Sequence, residues 1–302
     1  MLEYNKVRFC EAIMKLYAPK YYEKFECLAD KCKHSCCVGW EIDIDQSTLE
    51  KYNSLSLPYA KVIKNSIKFD DYPHFKLKNN NCPHLNENGL CNIIINCGEE
   101  YICDICRHHP RFYNFVNQGK EIGIGMSCEA ACDLILSSDD YDQIIEVDIV
   151  DGDVQKYDYD STKDRNEVFK LLKDNSLNIV QKIDILNNKF ELNLLDFDFA
   201  DLISKLEYLH SENKILFSKA DKLFWNISIS DELTRILAYY MYRYCSEAYD
   251  FTDFCISLSF AIICTGLIST LANKSNINNI ARIVSEEIEY SEENVELIKS
   301  II

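Results

Sequence analysis

The chain has 302 residues, 47% of them apolar, which is enough to bury an ample core in one large or two ordinary domains and excludes a disordered or purely solvating role. The formal net charge is −17 and is unevenly spread, with 16 Lys and Arg against 18 Asp and Glu through residue 135 and 16 against 31 beyond it. An acidic surface without a basic stripe repels phosphate, so nucleic acid is not expected as a partner; the acidity serves solubility and would attract a lysine-bearing substrate.

The first 20 residues alternate charge and apolarity, with no basic head, apolar run or small-residue cleavage site, and predict a cytoplasmic protein. Apolar residues over 7–16 fall at helical spacing and Pro19 follows, so a short opening helix is expected. Residues 40–45 alternate apolar and acidic side chains, the period of a short half-buried strand, and 47–55 predict a helix capped by Asp45 or Ser47. Residues 57–81 read as a polar, aromatic-rich connector ending in a turn at 79–83, and a second turn at 86–89 leads into 90–95. Residues 112–116 and 121–126, parted by 117–120, predict a hairpin that delivers Cys128, with a helix following over 129–136.

Residues 137–165, rich in Asp and Ser, are the boundary candidate, as a linker or a small strand pair, and set a first domain at 1–150 and a second at 151–302. Beyond it the pattern is helical over 166–189, 198–211, 213–225, 230–248, 252–273, 276–290 and 292–302. The fold expected is mainly α: an irregular, cysteine-rich metal-binding region with a few short strands, then an α-helical domain. The apolar stretch 256–272 contains five Ser and Thr residues, falls short of the roughly 20 residues a bilayer needs and has acidic flanks on its N-terminal side. It reads as a buried core helix, with no membrane span.

Twelve of the 15 cysteines precede residue 133, and eight of them, Cys27, Cys32, Cys36, Cys37, Cys82, Cys91, Cys106 and Cys128, stand beside turns, a proline or strand ends, where backbone N–H groups are free to bond sulfur. Thiols stay reduced in the cytosol, so this density reads as metal-binding or catalytic rather than as disulfides. Eight thiolates can hold two zinc ions, one four-cysteine iron–sulfur cluster with four cysteines to spare, or a mixture with histidine, and spacing alone does not choose. The pattern has neither the paired regularity of a zinc ribbon nor the Cys-x3-Cys-x2-Cys triplet of radical enzymes, because position 39 is glycine. Cys10, Cys97, Cys103 and Cys132 read as incidental, although Cys103 and Cys106 form a C-x-x-C, and His34 and His84 as surface or capping residues more than as ligands.

Phosphate-binding loops and nucleophile elbows are absent, and with only eight glycines a Rossmann-type enzyme is disfavoured. Trp40 and the aromatic residues of 101–115 suit either a core or a wall for a cation, and Arg107 and Arg111 flank His108-His109-Pro110, where they can bind a carboxylate or balance cluster charge.

The string KLYAPKYYEKFECLADKCKHSCCVGWEIDIDQSTLEKY, followed by CPHLNENGLCNI, GEEY, CRHHPR and SCEAA, resembles the flagellin lysine N-methylase family, and LAYYMYRYC and IARIVSEEIEYSEENVELI resemble its helical half. A looser similarity joins the N-terminal motifs to cysteine-rich zinc/iron-chelating domains. The resemblance implies an enzyme that methylates flagellin lysine ε-amines with S-adenosylmethionine as donor and a [4Fe-4S] cluster held by cysteines. The eight cysteines match the family's recurrent ones, and Gly39-Trp40, Gly98-Glu99 and Pro110-Arg111 match its other points. His109 stands where a tyrosine is usual, and no proline separates Cys128 from Glu129. On this basis Glu99, Trp40 and Arg111 are the catalytic candidates, and a non-enzymatic zinc- or iron-binding module is the rival reading.

Overall fold

The computed structural model describes residues 11–153, 157–192, 194 and 199–302. Among them 13 α-helices accompany six strands, so the fold is mainly α. The chain divides into two compact units that interleave in sequence. The larger comprises Met1–Phe25, Phe112–Ser127 and Ala131–Ile302, the smaller Glu26–Arg111 and Cys128–Ala130. Where the sequence reading draws one boundary at 150, these units change over after residues 25, 111, 127 and 130.

The chain enters the larger unit on strand β1 (Glu11–Pro19), where a helix over 7–16 is expected; residues 7–10 lie outside the described residues. Met14, Leu16 and Ala18 are buried while Ile13 is 74% exposed. The burial period is therefore 2, and an outward-facing isoleucine supplied the helical spacing.

The smaller unit follows. Residues 40–45 run extended with Ile42 and Ile44 buried, as the alternation predicts, and pair with the chain beyond through the single bridge Asp43–His74. Asp45 caps helix α1 (Gln46–Ser54) by accepting from the Thr48 amide at 2.9 Å. The expected connector holds helix α2 (Ala60–Ser66) and a hairpin of β2 (Ile67–Phe69) and β3 (Pro73–Phe75), elements too short to print a period. Short helices α3 (Asn92–Cys97) and α4 (Asp104–His108) complete the unit. Its core joins Ile42, Tyr52, Ile63, Phe75 and Ile93 to Cys82 and Cys103, with Cys37, Cys91 and Cys106 packed against it. Each large apolar side chain buried here contributes about 1.5–3 kcal/mol.

Back in the larger unit, β4 (Arg111–Val116) and β5 (Gly119–Ile124) are adjacent strands, as the hairpin reading expects, and helix α5 (Glu129–Ser137) follows. The segment expected as a linker or strand pair contributes one long strand, β6 (Ile144–Asp153), and the sheet order is β4-β5-β1-β6. β1 runs parallel to β5 and antiparallel to β6. The helix expected over 166–189 is two, α6 (Ser161–Leu172) and α7 (Ile179–Phe190), and Asn178 and Gln181 form a capping box at the restart. Then come α8 (Phe199–Lys205) and α9 (Ser211–Phe217), each about half the length expected over 198–211 and 213–225, and α10 (Ser230–Tyr244), α11 (Phe251–Leu271), α12 (Ile277–Glu289) and α13 (Glu292–Ser300), close to the predicted helices. Among the described residues α11 alone is long and apolar enough to cross a bilayer, and 78% of its apolar window is buried within the protein.

Candidate metal centre

All eight sequence-predicted ligands belong to the smaller unit, which the last of them joins through the excursion Cys128–Ala130. Cys27 lies in the loop that opens the unit, and its sulfur accepts from the Ala29 amide at 3.4 Å. The Cys32 sulfur is 3.7 Å from Glu129 Oε2, which also accepts from the Lys33 amide at 2.8 Å. The Cys82 amide donates to the Cys37 carbonyl and the Gly39 amide to the Asn80 carbonyl, each at 2.8 Å, so the Cys36-Cys37 loop and the Cys82 loop are laced together. Gly39 takes φ +84° and Gly98 +108°. At Gly98 a Cβ would also meet the Glu100 carboxylate, so these two matches to the family motif are demands of the backbone.

The thiols fall into two neighbouring groups. Cys36 and Cys82, with Ser35, lie close enough to Cys37 to hold its thiol down against burial, and Cys37 in turn pushes Cys36 and Cys82 up. In the second group Cys106 lowers Cys103 and is itself raised by it. Cys91, raised by burial, feels the charge of Cys37 and Cys103. Cys36 feels that of Cys27 and Cys128, and Cys32, raised by burial, that of Glu129 and Cys128. Eight thiols and Cys103 thus share one electrostatic neighbourhood at the edge of an apolar core.

Among the described residues no three Cys, His, Asp or Glu side chains stand together as a ligand set for a metal ion. The chemistry of the donors, soft sulfur held on turns, fits zinc or an iron–sulfur cluster; the arrangement holds them as two groups. Histidine adds little to the set. His84 is fully buried, and its two ring nitrogens are taken by the Tyr59 hydroxyl at 3.1 Å and the Ser66 hydroxyl at 2.9 Å. Burial pushes both His84 and His109 down to about 4, so both are neutral at pH 7.

Of the catalytic candidates, Glu99 is exposed on the 3-10 turn Glu99–Tyr101, Trp40 is half-buried beside Gly39, and Arg111 is half-buried at the start of β4. Arg107 is anchored, donating to the Glu100 and Ile102 carbonyls at 3.3 Å each. Cys103, read as incidental from sequence, is 1% exposed, 3.7 Å from the Tyr52 hydroxyl and electrostatically coupled to Cys106. Its C-x-x-C spacing is the signal that finds it. Cys132 donates to the Asn278 carbonyl at 3.3 Å in the larger unit, and Cys10 lies outside the described residues.

A 145-residue stretch is 24% identical to the lysine-N-methylase of Salmonella typhimurium, covering 44% of this chain and 35% of that protein, and the lysine-N-methylase of Salmonella choleraesuis matches to the same extent. The flagellar biosynthetic protein FliU of Salmonella muenchen is 24% identical over 130 residues, which are 40% of this chain and 77% of that protein. No family model and no solved structure matches the chain. The match thus spans about a third of the length of the lysine-N-methylases, 35%. Over that stretch the chain is similar to the proteins its cysteine motifs resemble, the flagellin lysine N-methylases.

Proposed function

We propose that the chain is a protein lysine N-methyltransferase that modifies flagellin, takes its methyl group from S-adenosylmethionine and holds a [4Fe-4S] cluster on cysteines of the smaller unit, with zinc as the alternative metal. The observation that carries the reading is that eight family-type cysteines, four of them clustered over residues 27–37 and four following at steps of 9 to 45 residues, come to one compact unit of a chain similar to lysine-N-methylases. Cluster binding would draw the thiol groups into one ligand set from among Cys27, Cys32, Cys36, Cys37, Cys82, Cys91, Cys106 and Cys128. Such thiols must be reduced to bind, so the activity belongs in the cytoplasm.

The chemistry places one clear demand on the protein. A lysine amine, with a pKa of about 10.4, is protonated at neutral pH and has no lone pair for attack. Once the proton leaves, the nitrogen forms the N–C bond as the sulfonium S–C bond breaks. An exposed carboxylate such as Glu99 can accept that proton, the Trp40 face can hold the alkyl stem, and Arg111 can bind a carboxylate of donor or substrate. The test is incubation of the anaerobically purified chain with S-adenosylmethionine labelled in its methyl group and flagellin from the same cell. Label on flagellin lysines is expected; a metal-loaded chain that labels none would leave the metal-binding module.

A further inference from the structure

We propose that Cys103 and Cys106 form a redox-modification site, a dithiol that closes to a disulfide by exchange with a small-molecule disulfide of the glutathione type and so withdraws Cys106 from metal. The bond stands on local geometry, and its consequence for metal rests on the reading of Cys106 as a ligand. Cys103 is the residue that precedes α4, and Cys106 is the third residue within it. The Arg107 amide donates to the Cys103 carbonyl at 2.9 Å and closes the first helical turn around Cys106. Residues three apart on such a turn share a face, with Cα atoms about 5 Å apart, inside the roughly 4.4–6.8 Å that a disulfide spans. Further contacts fix the turn. The Asp104 amide donates to Asp45 Oδ2 at 2.9 Å, and Arg107 donates to the Glu100 and Ile102 carbonyls at 3.3 Å each. The Tyr52 hydroxyl donates to the Tyr101 carbonyl at 2.7 Å and lies 3.7 Å from the Cys103 sulfur. The two thiols are therefore held as neighbours, and each feels the other's charge.

The two sulfurs differ in access. Cys106 is half-buried and Cys103 is 1% exposed, so an incoming reagent meets Cys106. The Cys106 thiolate attacks one sulfur of the glutathione disulfide; a mixed disulfide forms and one glutathione leaves as thiolate. The Cys103 thiolate then attacks the Cys106 sulfur, the protein disulfide forms and the second glutathione leaves as thiolate. The chain loses two electrons, the reagent gains them, and the protons of the two protein thiols pass to the departing thiolates. A disulfide sulfur carries no thiolate charge for a metal, so the bond and the metal compete for Cys106. Cys36, Cys37 and Cys82 are all family-type ligands, whereas Cys103 stands outside that set and is available as the resolving thiol.

The experiment exposes the full chain, purified anaerobically with its metal, to oxidised glutathione, alkylates the remaining thiols and maps disulfides by peptide mass spectrometry, with bound metal measured in parallel. A Cys103–Cys106 disulfide is expected to form as metal is lost, and dithiothreitol is expected to reverse the bond. In a Cys103→Ser variant that keeps the wild-type circular dichroism spectrum, metal content should equal that of wild type. Its Cys106 should stop at the glutathione adduct, with complete loss of the disulfide. Should the variant unfold, the wild-type map decides alone. Cys106 left as a free thiol at millimolar reagent, or joined to a different cysteine, would overturn the proposal. So would metal missing from the folded Cys103→Ser chain, which would make Cys103 a ligand. A chain that forms this disulfide and releases metal but methylates no flagellin supports the inference and counts against the methylase reading.

Discussion

Cys37 is the pivot of the thiol group: its backbone carbonyl accepts from the Cys82 amide and so ties the two loops that bear Cys36 and Cys82. That these cysteines stand beside turns and strand ends was legible in the sequence. Cys103 is marked by its C-x-x-C spacing with Cys106, but burial in the core of the smaller unit is the ordinary reading of a thiol, so sequence alone reads it as incidental. The fate of His84 was not legible, since nothing local announces that Tyr59 and Ser66 occupy both ring nitrogens. Glu99 belongs to this scale too. It is exposed on a turn, so Glu99→Gln should leave thermal unfolding unchanged while slowing methyl transfer about 10²-fold or more, the range of a lost general base; an unchanged rate in a methyl-transfer assay would remove it from the chemistry.

Between elements, Asp45 does two jobs. Its Oδ1 caps α1 through Thr48, and its Oδ2 accepts from the Asp104 amide at 2.9 Å, fastening the start of α4 to the start of α1. Burial pushes this carboxyl up, but the Asp104 and Thr48 amides and the Ser47 hydroxyl outweigh it and hold the carboxyl below its usual range. Asp45→Ala should cost about 1 kcal/mol for the cap alone, read from urea unfolding at neutral pH. A lowered folded pKa gives stability that is complete above the ordinary carboxyl value of about 3.9 and is lost as pH falls through the folded value, so the gap between wild type and variant should narrow in acid. A gap that stays constant down to strong acid would show the carboxylate is not the cause. Gly119 is a second junction, with φ +147° and the Lys15 carbonyl lying where a Cβ would be. Gly119→Ala should disrupt the parallel β1–β5 pairing at Lys15 and lower the unfolding temperature, whereas a variant as stable as wild type would mean the backbones separate freely. Most helices longer than two turns were legible from their periodicity and caps, although α6 and α7 read as one. β1 was not, because its identity is conferred by β5 and β6, more than a hundred residues away, while Ile13 on its open face imitates a helical repeat.

Across the whole molecule, the sequence divides by composition and the fold divides by contact. Cysteines crowd the first half and acids the second, yet the larger unit takes β1, β4 and β5 from the first half, and the smaller reaches past residue 127 for Cys128–Ala130. That excursion brings Cys128 into the unit of the other seven, and its Glu129 fastens it there by accepting from the Lys33 amide at 2.8 Å. The proposed activity draws on the similarity to lysine-N-methylases, and the thiols supply the means of testing it. The most direct measurement is iron, zinc and acid-labile sulfide content of the anaerobically purified chain and its Cys36→Ser variant, each assayed in parallel for methyl transfer. The account predicts a brown protein with about four iron and four sulfide per chain, and loss of metal and transfer together in the variant. A metal-free chain that transfers methyl groups at the full rate would contradict it.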